Sequence, residues 1–131
     1  MKTEIYWLTL SLFVTSLIWV PIIINRLIEH GFWHGLWDPE GKTHTEVGWS
    51  KRMMAAHVNA IENLVIFAAL VLIVQLQGLT SEMTVLASML FFYSRLAHVI
   101  LFTFKVPVLR IIAFLVGFSA QVILIKIILN W

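Results

Sequence analysis

The sequence contains no cysteine. Disulfide bonds, thiolate metal sites and redox chemistry based on a cysteine pair are therefore excluded. Any thiol reaction at this protein must use a thiol that arrives with a substrate. Charged residues are also scarce, at 12% of the 131 residues, where a soluble domain carries about 25% to cover its surface. The formal net charge is only +2 and the basic residues are scattered, so no nucleic-acid partner is expected.

Hydrophobic residues make up 60% of the sequence and are gathered into four long runs. As a helix rises 1.5 Å per residue, about 20 apolar residues cross the roughly 30 Å hydrocarbon layer of a bilayer. The first run is longer than the roughly 7–15 residues of a signal-peptide core, so we expect a retained helix. The chain length leaves room for one domain, residues 1–131. The predicted spans cover residues 5–24, 58–76, 83–104 and 107–129.

Residues 25–50 form the one long connection between these runs. Its tryptophans, Trp33, Trp37 and Trp49, suit a segment at the level of the lipid headgroups. By the positive-inside rule, the first and third connections are expected in the cytoplasm and both termini on the non-cytoplasmic side. The basic residues that decide this orientation are Arg26, Lys42, Lys51, Arg52, Lys105 and Arg110.

The other two connections are short turns. Ser81 or Thr80 is a candidate cap for the third helix, and Pro107 suits the first position of the fourth. Short connections make successive helices antiparallel neighbours. The sequence therefore predicts an all-α membrane protein, a four-transmembrane-helix up-down bundle.

Strongly polar side chains recur inside the predicted spans, where each costs about 2.5–3.5 kcal/mol on insertion into lipid. Spacings of three and four residues place them on one stripe of each helix. The stripes are Arg52, Ala55, Asn59 and Glu62 on the second span, Phe91, Arg95, His98 and Phe102 on the third, and Arg110, Phe114, Gly117 and Gln121 on the fourth.

Cations outnumber carboxylates in these stripes, because Arg52, Arg95 and Arg110 face one or two acidic groups. One interpretation is purely structural: Glu62 pairs with Arg95 or Arg52 and fixes helix register. The alternative is that the excess positive charge binds an anionic ligand.

Five histidines raise the question of a metal or haem site. His57 and His98 lie on adjacent helices, as haem ligands can. Each has an arginine within about a turn, which disfavours a nearby cation, so we expect no haem. His30, His34 and His44 lack ligand-like spacing, and no metal is expected.

Two segments resemble a known family. Residues 52–63 contain an arginine followed by a His-x-Asn-x-x-Glu-Asn run, which resembles the second-helix signature of the MAPEG superfamily. Residues 95–98 and 107–110 resemble its third-helix arginine motif and the start of its fourth helix. Asn25 and Arg26 also fit. The resemblance covers essentially the whole chain.

The MAPEG superfamily comprises membrane glutathione transferases and peroxidases, eicosanoid synthases and a non-enzymatic lipid-binding relative. The resemblance implies a homotrimer of four-helix subunits in contact with membrane lipids. It also implies glutathione as cosubstrate, bound between subunits near the cytoplasmic face, and a lipophilic small-molecule substrate from the bilayer. For a chain of this small bacterial type, the expected location is the bacterial inner membrane.

The resemblance also implies roles for individual residues. Arg110 would stabilise the glutathione thiolate, with Arg95 as the second candidate, because a guanidinium lowers a thiol pKa from its usual value of about 8.5. Arg52 would support the site from nearby. The expected glutathione site is Arg26, Asn59, Glu62, Arg95, His98 and Arg110.

The sequence departs from the family pattern in two places. Basic residues flank the motif asparagine in some members, where this chain has Ala55 and Val58. Enzymatic members often carry a tyrosine one helical turn beyond the third-helix histidine, where this chain has Phe102. The missing hydroxyl favours an alternative function, a non-catalytic member that binds lipid or scaffolds a partner.

Overall fold

The computed structural model describes residues 2–131. Four of its five helices are long and apolar enough to cross a membrane. This confirms the predicted all-helical architecture with four long apolar helices. The helices are α1 (Thr3–His30), α2 (Phe32–Leu36), α3 (Gly48–Leu76), α4 (Glu82–Thr103) and α5 (Pro107–Leu129).

The ends of α4 and α5 follow from local sequence. Ser81, rather than Thr80, caps α4: its hydroxyl accepts the Thr84 N–H at 3.2 Å, and the Thr84 hydroxyl accepts the Ser81 N–H at 2.8 Å. This reciprocal capping satisfies two N–H groups that a helix start leaves free. Pro107 is the first residue of α5. Between the two helices, Lys105 adopts a left-handed φ of 63°.

The long connection contains more structure than its sequence predicts. α1 continues through Pro21 to His30, six residues beyond the predicted span, and ends at Gly31 with a φ of 81°. The short helix α2 then packs back on the end of α1. Gly35 permits this approach, because a Cβ there would lie 3.0 Å from the Leu27 side chain.

Chain order places the start of α1 beside the α3–α4 turn and the end of α5, which we name the termini end of the bundle. The opposite end, which carries residues 31–47 and the α4–α5 turn, is the loop end. α4 and α5 pack together most extensively, and α3 contacts α1, α4 and α5.

Two apolar clusters form the core. Toward the termini end, Phe67 and Phe91 stack with their ring centres 3.8 Å apart, surrounded by Leu8, Leu64, Val71, Val74, Ala87, Ala120 and Leu124. Toward the loop end, the cluster consists of Ile18, Ile22, Ala56, Ala60 and Val99. Most large apolar side chains outside these clusters are exposed on the helix surfaces, as expected where the surrounding solvent is lipid.

Candidate functional site

Arg95 is the most deeply placed cation of the bundle. It is only 7% exposed, on α4, and its Nη1 donates to the Asn59 side-chain oxygen on α3 at 3.0 Å. The guanidinium carbon lies 5.2 Å from the centre of the Phe114 ring on α5. Its Nε and Nη2 atoms are buried and have no hydrogen-bond partner within residues 2–131. Burial of a guanidinium with two unpaired nitrogens costs free energy unless an acceptor forms hydrogen bonds with those nitrogens.

Gly117 makes room for this guanidinium. A Cβ on Gly117 would lie 2.7 Å from the Ser94 hydroxyl oxygen and 3.1 Å from Arg95 Nε. A side chain at position 117 would therefore force Ser94 or Arg95 to shift. The stripe spacing on the fourth span indicated the correct face for Gly117.

A short polar network supports Arg95 from α3 and α5. The Asn63 side-chain amide donates to the Asn59 carbonyl oxygen at 2.9 Å. The buried Gln121 side-chain amide donates to the Asn63 carbonyl oxygen at 3.1 Å. The second of these bonds joins α5 to α3. The Asn63 amide nitrogen also lies 3.5 Å from the Asn59 side-chain oxygen that Arg95 contacts.

Toward the loop end, aromatic rings connect the remaining residues of the third and fourth stripes. His98 is buried, with its ring centre 5.7 Å from that of Phe102 and 6.2 Å from that of Phe114. The Arg110 guanidinium carbon lies 4.3 Å from the centre of the Phe102 ring, a cation–π distance. Phe102 thus contacts both His98 and Arg110.

Arg52 lies beside this group on α3. Its Nε donates to the carbonyl oxygen of Thr103 at 2.8 Å, so it binds one of the backbone acceptors that the end of α4 leaves free. The group Arg95, Asn59, His98, Phe102, Arg110 and Arg52 is hereafter the arginine cluster.

Within residues 2–131, no carboxylate forms an ion pair with the arginine cluster. Among residues 2–131 the ion pairs are Lys42–Glu40 and Lys51–Glu46, both at the surface, and no arginine takes part in one. Glu62 is exposed on α3 and forms no ion pair with Arg95 or Arg52 in the described chain. The purely structural interpretation of Glu62 therefore does not hold within a single chain.

Arg26 lies in a different environment from the arginine cluster. It lines a cavity of about 10 Å³, room for about one water molecule, with Glu29, Thr45 and Ser50 among its neighbours. The Glu29 carboxylate organises this region, because it accepts the Thr45 hydroxyl at 2.6 Å and the Glu46 N–H at 2.7 Å. Within residues 2–131, no hydrogen bond or ion pair joins Arg26 to the other predicted site residues.

Two carboxylates were not predicted from the sequence: Glu4, which is buried, and Glu29, which accepts hydrogen bonds from residues 45 and 46. Glu4 is fully buried at the termini end, where its Oε1 accepts the Thr84 hydroxyl at 2.7 Å and its Oε2 has no partner among the described residues. Its position just before an apolar run is typical of an interfacial charge, so no signal distinguished it. Glu29 had one signal, because it follows Asn25 by four residues on one helix face and accepts its amide at 3.3 Å.

Comparison with known proteins adds one match. Residues 5–130, nearly the whole chain, match the protein-family model that is described as MAPEG family. No curated protein and no solved structure gives a significant match. The match confirms the resemblance on which the sequence interpretation was based.

Proposed function

This chain belongs to the MAPEG family, and from that premise we propose that it is a membrane-bound, glutathione-dependent transferase or peroxidase. Its substrates are lipophilic electrophiles or hydroperoxides that reach the site from the bilayer. The observation that carries the proposal is the arginine cluster, in which Arg95 leaves two buried nitrogens without an acceptor among residues 2–131. Such a site favours a ligand with negative charge and oxygen acceptors.

Glutathione has the complementary chemistry. Its two carboxylates suit the guanidinium groups of Arg95 and Arg52, and its ammonium group suits a carboxylate such as Glu62. Asn59 and His98 would complete the polar contacts, and Arg26 would join from the loop end. In this proposal the tripeptide contacts side chains from more than one subunit.

Assembly as a homotrimer is part of the proposal. Glu62 is exposed on a membrane helix among exposed apolar side chains such as Val58 and Val65. A carboxylate that faced lipid would be strongly unfavourable, so its surface is better placed against another subunit. Native mass analysis in mild detergent is expected to give a trimer, and a stable monomer would contradict an intersubunit site.

The proposed reaction begins with ionisation of the bound thiol. Arg110 faces the ring of Phe102 and carries no carboxylate partner within residues 2–131, so its charge is available to stabilise a thiolate. With a chlorinated nitroaromatic, the sulfur forms a bond to carbon, the carbon–chlorine bond breaks, and chloride leaves while the thiol proton passes to water. With a hydroperoxide, two glutathione molecules are oxidised to the disulfide, and the products are an alcohol and water.

The test is a spectrophotometric conjugation assay with purified protein, glutathione and a chlorinated nitroaromatic. We expect a rate above the uncatalysed reaction that falls about 100- to 1,000-fold in Arg110→Ala, the typical loss when one group that stabilises developing negative charge is removed. Lys126→Ala is the matched control, because Lys126 is an exposed cation at the termini end. The proposal fails if the wild type shows no rate above the uncatalysed reaction or if both variants behave alike.

The second candidate function is lipid binding or scaffolding without catalysis. Phe102 favours it, because the ring that contacts Arg110 and His98 has no hydroxyl. In that case glutathione should neither react nor raise the unfolding temperature of the protein, and a Phe102→Tyr variant should also show no activity.

We also propose that the protein lies in the bacterial inner membrane with both termini on the non-cytoplasmic side. Protease accessibility of tagged termini in intact cells tests the orientation.

A further inference from the structure

An apolar surface lies at the loop end, on α2 and the last turn of α1. Ile28 on the last turn of α1 and four residues from α2 and its end are between 55% and 81% exposed. The set, hereafter the aromatic patch, is Ile28, Phe32, Trp33, Leu36 and Trp37. Contiguous exposed apolar surface of this kind marks a contact with a partner or a membrane.

The backbone presents the aromatic patch in a fixed direction. Gly31, with its φ of 81°, ends α1 and starts α2, and the Gly35 N–H donates back to the Gly31 carbonyl oxygen at 2.8 Å. Gly35 is the buried residue of α2 and lies against Leu27 and the Arg26 carbonyl oxygen. Because the glycine side of α2 packs on α1, its aromatic side chains must point away from the protein.

The aromatic patch is continuous with the surface that faces lipid. Ile24 is 52% exposed one turn before Ile28 on the same apolar helix. The patch therefore begins where the membrane-spanning part of α1 ends, at the depth where tryptophan rings are favoured in a bilayer.

Charge identifies the kind of contact. Residues 25–50 carry four carboxylates and two cations, Arg26 and Lys42. Attraction to anionic headgroups requires an excess of positive charge, so burial of apolar and aromatic surface must be the driving interaction. We infer that α2 lies in the plane of the bilayer at the headgroup–acyl boundary, with the aromatic patch inserted into lipid irrespective of headgroup charge.

The absence of cysteine makes a site-specific test direct. Single Leu36→Cys and Trp37→Cys variants carry a nitroxide label in phosphatidylcholine nanodiscs, with and without anionic lipid. Glu40→Cys, exposed in the same connection, is the control. Power-saturation measurements compare collisions with oxygen, which concentrates in lipid, and with a water-soluble nickel chelate. We expect the oxygen-to-nickel ratio at positions 36 and 37 to exceed that at position 40 at least about fivefold, with and without anionic lipid.

Three results would overturn the inference. Nickel access at position 36 equal to that at position 40 would place α2 in water. Exclusion of both reagents would mean that protein, such as a second copy, covers the aromatic patch. An oxygen-to-nickel ratio that rises only when anionic lipid is present would show that α2 binds the membrane through electrostatic attraction to the headgroups.

A second measurement leaves the apolar surface in place. Trp37→Phe removes one fluorophore, so the emission lost relative to wild type reports on Trp37 alone. That emission should be quenched by lipids brominated near the headgroup end of the acyl chain and not by a water-soluble quencher. Quenching from water alone would contradict insertion.

Discussion

Gly117→Ala tests whether α5 is held against Arg95 as closely as the structure indicates. The added Cβ would lie 2.7 Å from the Ser94 hydroxyl oxygen, 3.1 Å from Arg95 Nε and 3.4 Å from Arg95 Nη2. Overpacking of this kind costs about 1–3 kcal/mol. If Ser94 rotates away, it loses its bond to the Phe91 carbonyl oxygen at 2.8 Å, worth about 0.5–1.5 kcal/mol. Alanine returns about 1 kcal/mol of helix propensity.

The three contributions sum to a net loss of about 0.5–3.5 kcal/mol in the free energy of unfolding, where an uncrowded helix would gain about 1 kcal/mol from the same change. Reversible unfolding by sodium dodecyl sulfate in mild micelles measures the difference. Ser119→Ala, exposed on α5, serves as the control and should change little. In a Ser94→Ala background the closest contact is gone, so Gly117→Ala should cost less. A Gly117→Ala protein as stable as wild type, or more so, would refute the reasoning.

Three further predictions concern other parts of the chain. Lys105→Gly should raise the free energy of unfolding by about 0.5–1 kcal/mol in the same titration, because Lys105 has a left-handed φ; a loss would contradict this. Thr84→Val should cost about 1–3 kcal/mol and more than Glu4→Met, because it removes the hydroxyl that donates to the buried Glu4 carboxyl; equal costs would contradict it. Hydrogen bonds to the Asp38 carboxylate, above all from the Thr43 N–H, lower the pKa of Asp38. The ionised Asp38 should therefore order this loop at neutral pH, and the order should be lost as the pH falls through that lowered pKa. A nitroxide at residue 40 should become mobile at low pH, and at all pH values in Asp38→Asn; mobility independent of both would exclude this role.

Much of the helical framework follows from the sequence, because each part depends on local physics. Long apolar runs require helices that satisfy their own backbone, and the cap at Ser81 and the start at Pro107 depend on residues close in the chain. The extension of α1 to His30 was not predicted, because the polar residues Asn25, Arg26, Glu29 and His30 resemble a loop in composition. The break falls at Gly31, where a positive φ is required.

The sequence predicted which helix faces carry the candidate site, but it did not predict which side chains contact each other there. Spacing placed Arg95, His98 and Gly117 on inward stripes, and all three are buried. It could not decide that Arg95 meets Asn59 rather than Glu62, because that choice depends on the rotation of α3 about its axis. The same rotation leaves Glu62 exposed on the single chain.

The proposed glutathione chemistry requires that the unpaired nitrogens of Arg95 bind an anionic tripeptide. Calorimetric titration of glutathione into the purified protein tests this directly, with Arg95→Lys and the control Lys126→Ala measured alongside. A lysine keeps the charge but lacks the planar set of N–H donors. We expect saturable binding to wild type and to Lys126→Ala, and affinity at least about tenfold weaker in Arg95→Lys. No saturable binding to wild type, or equal affinity in Arg95→Lys, would contradict glutathione binding at Arg95.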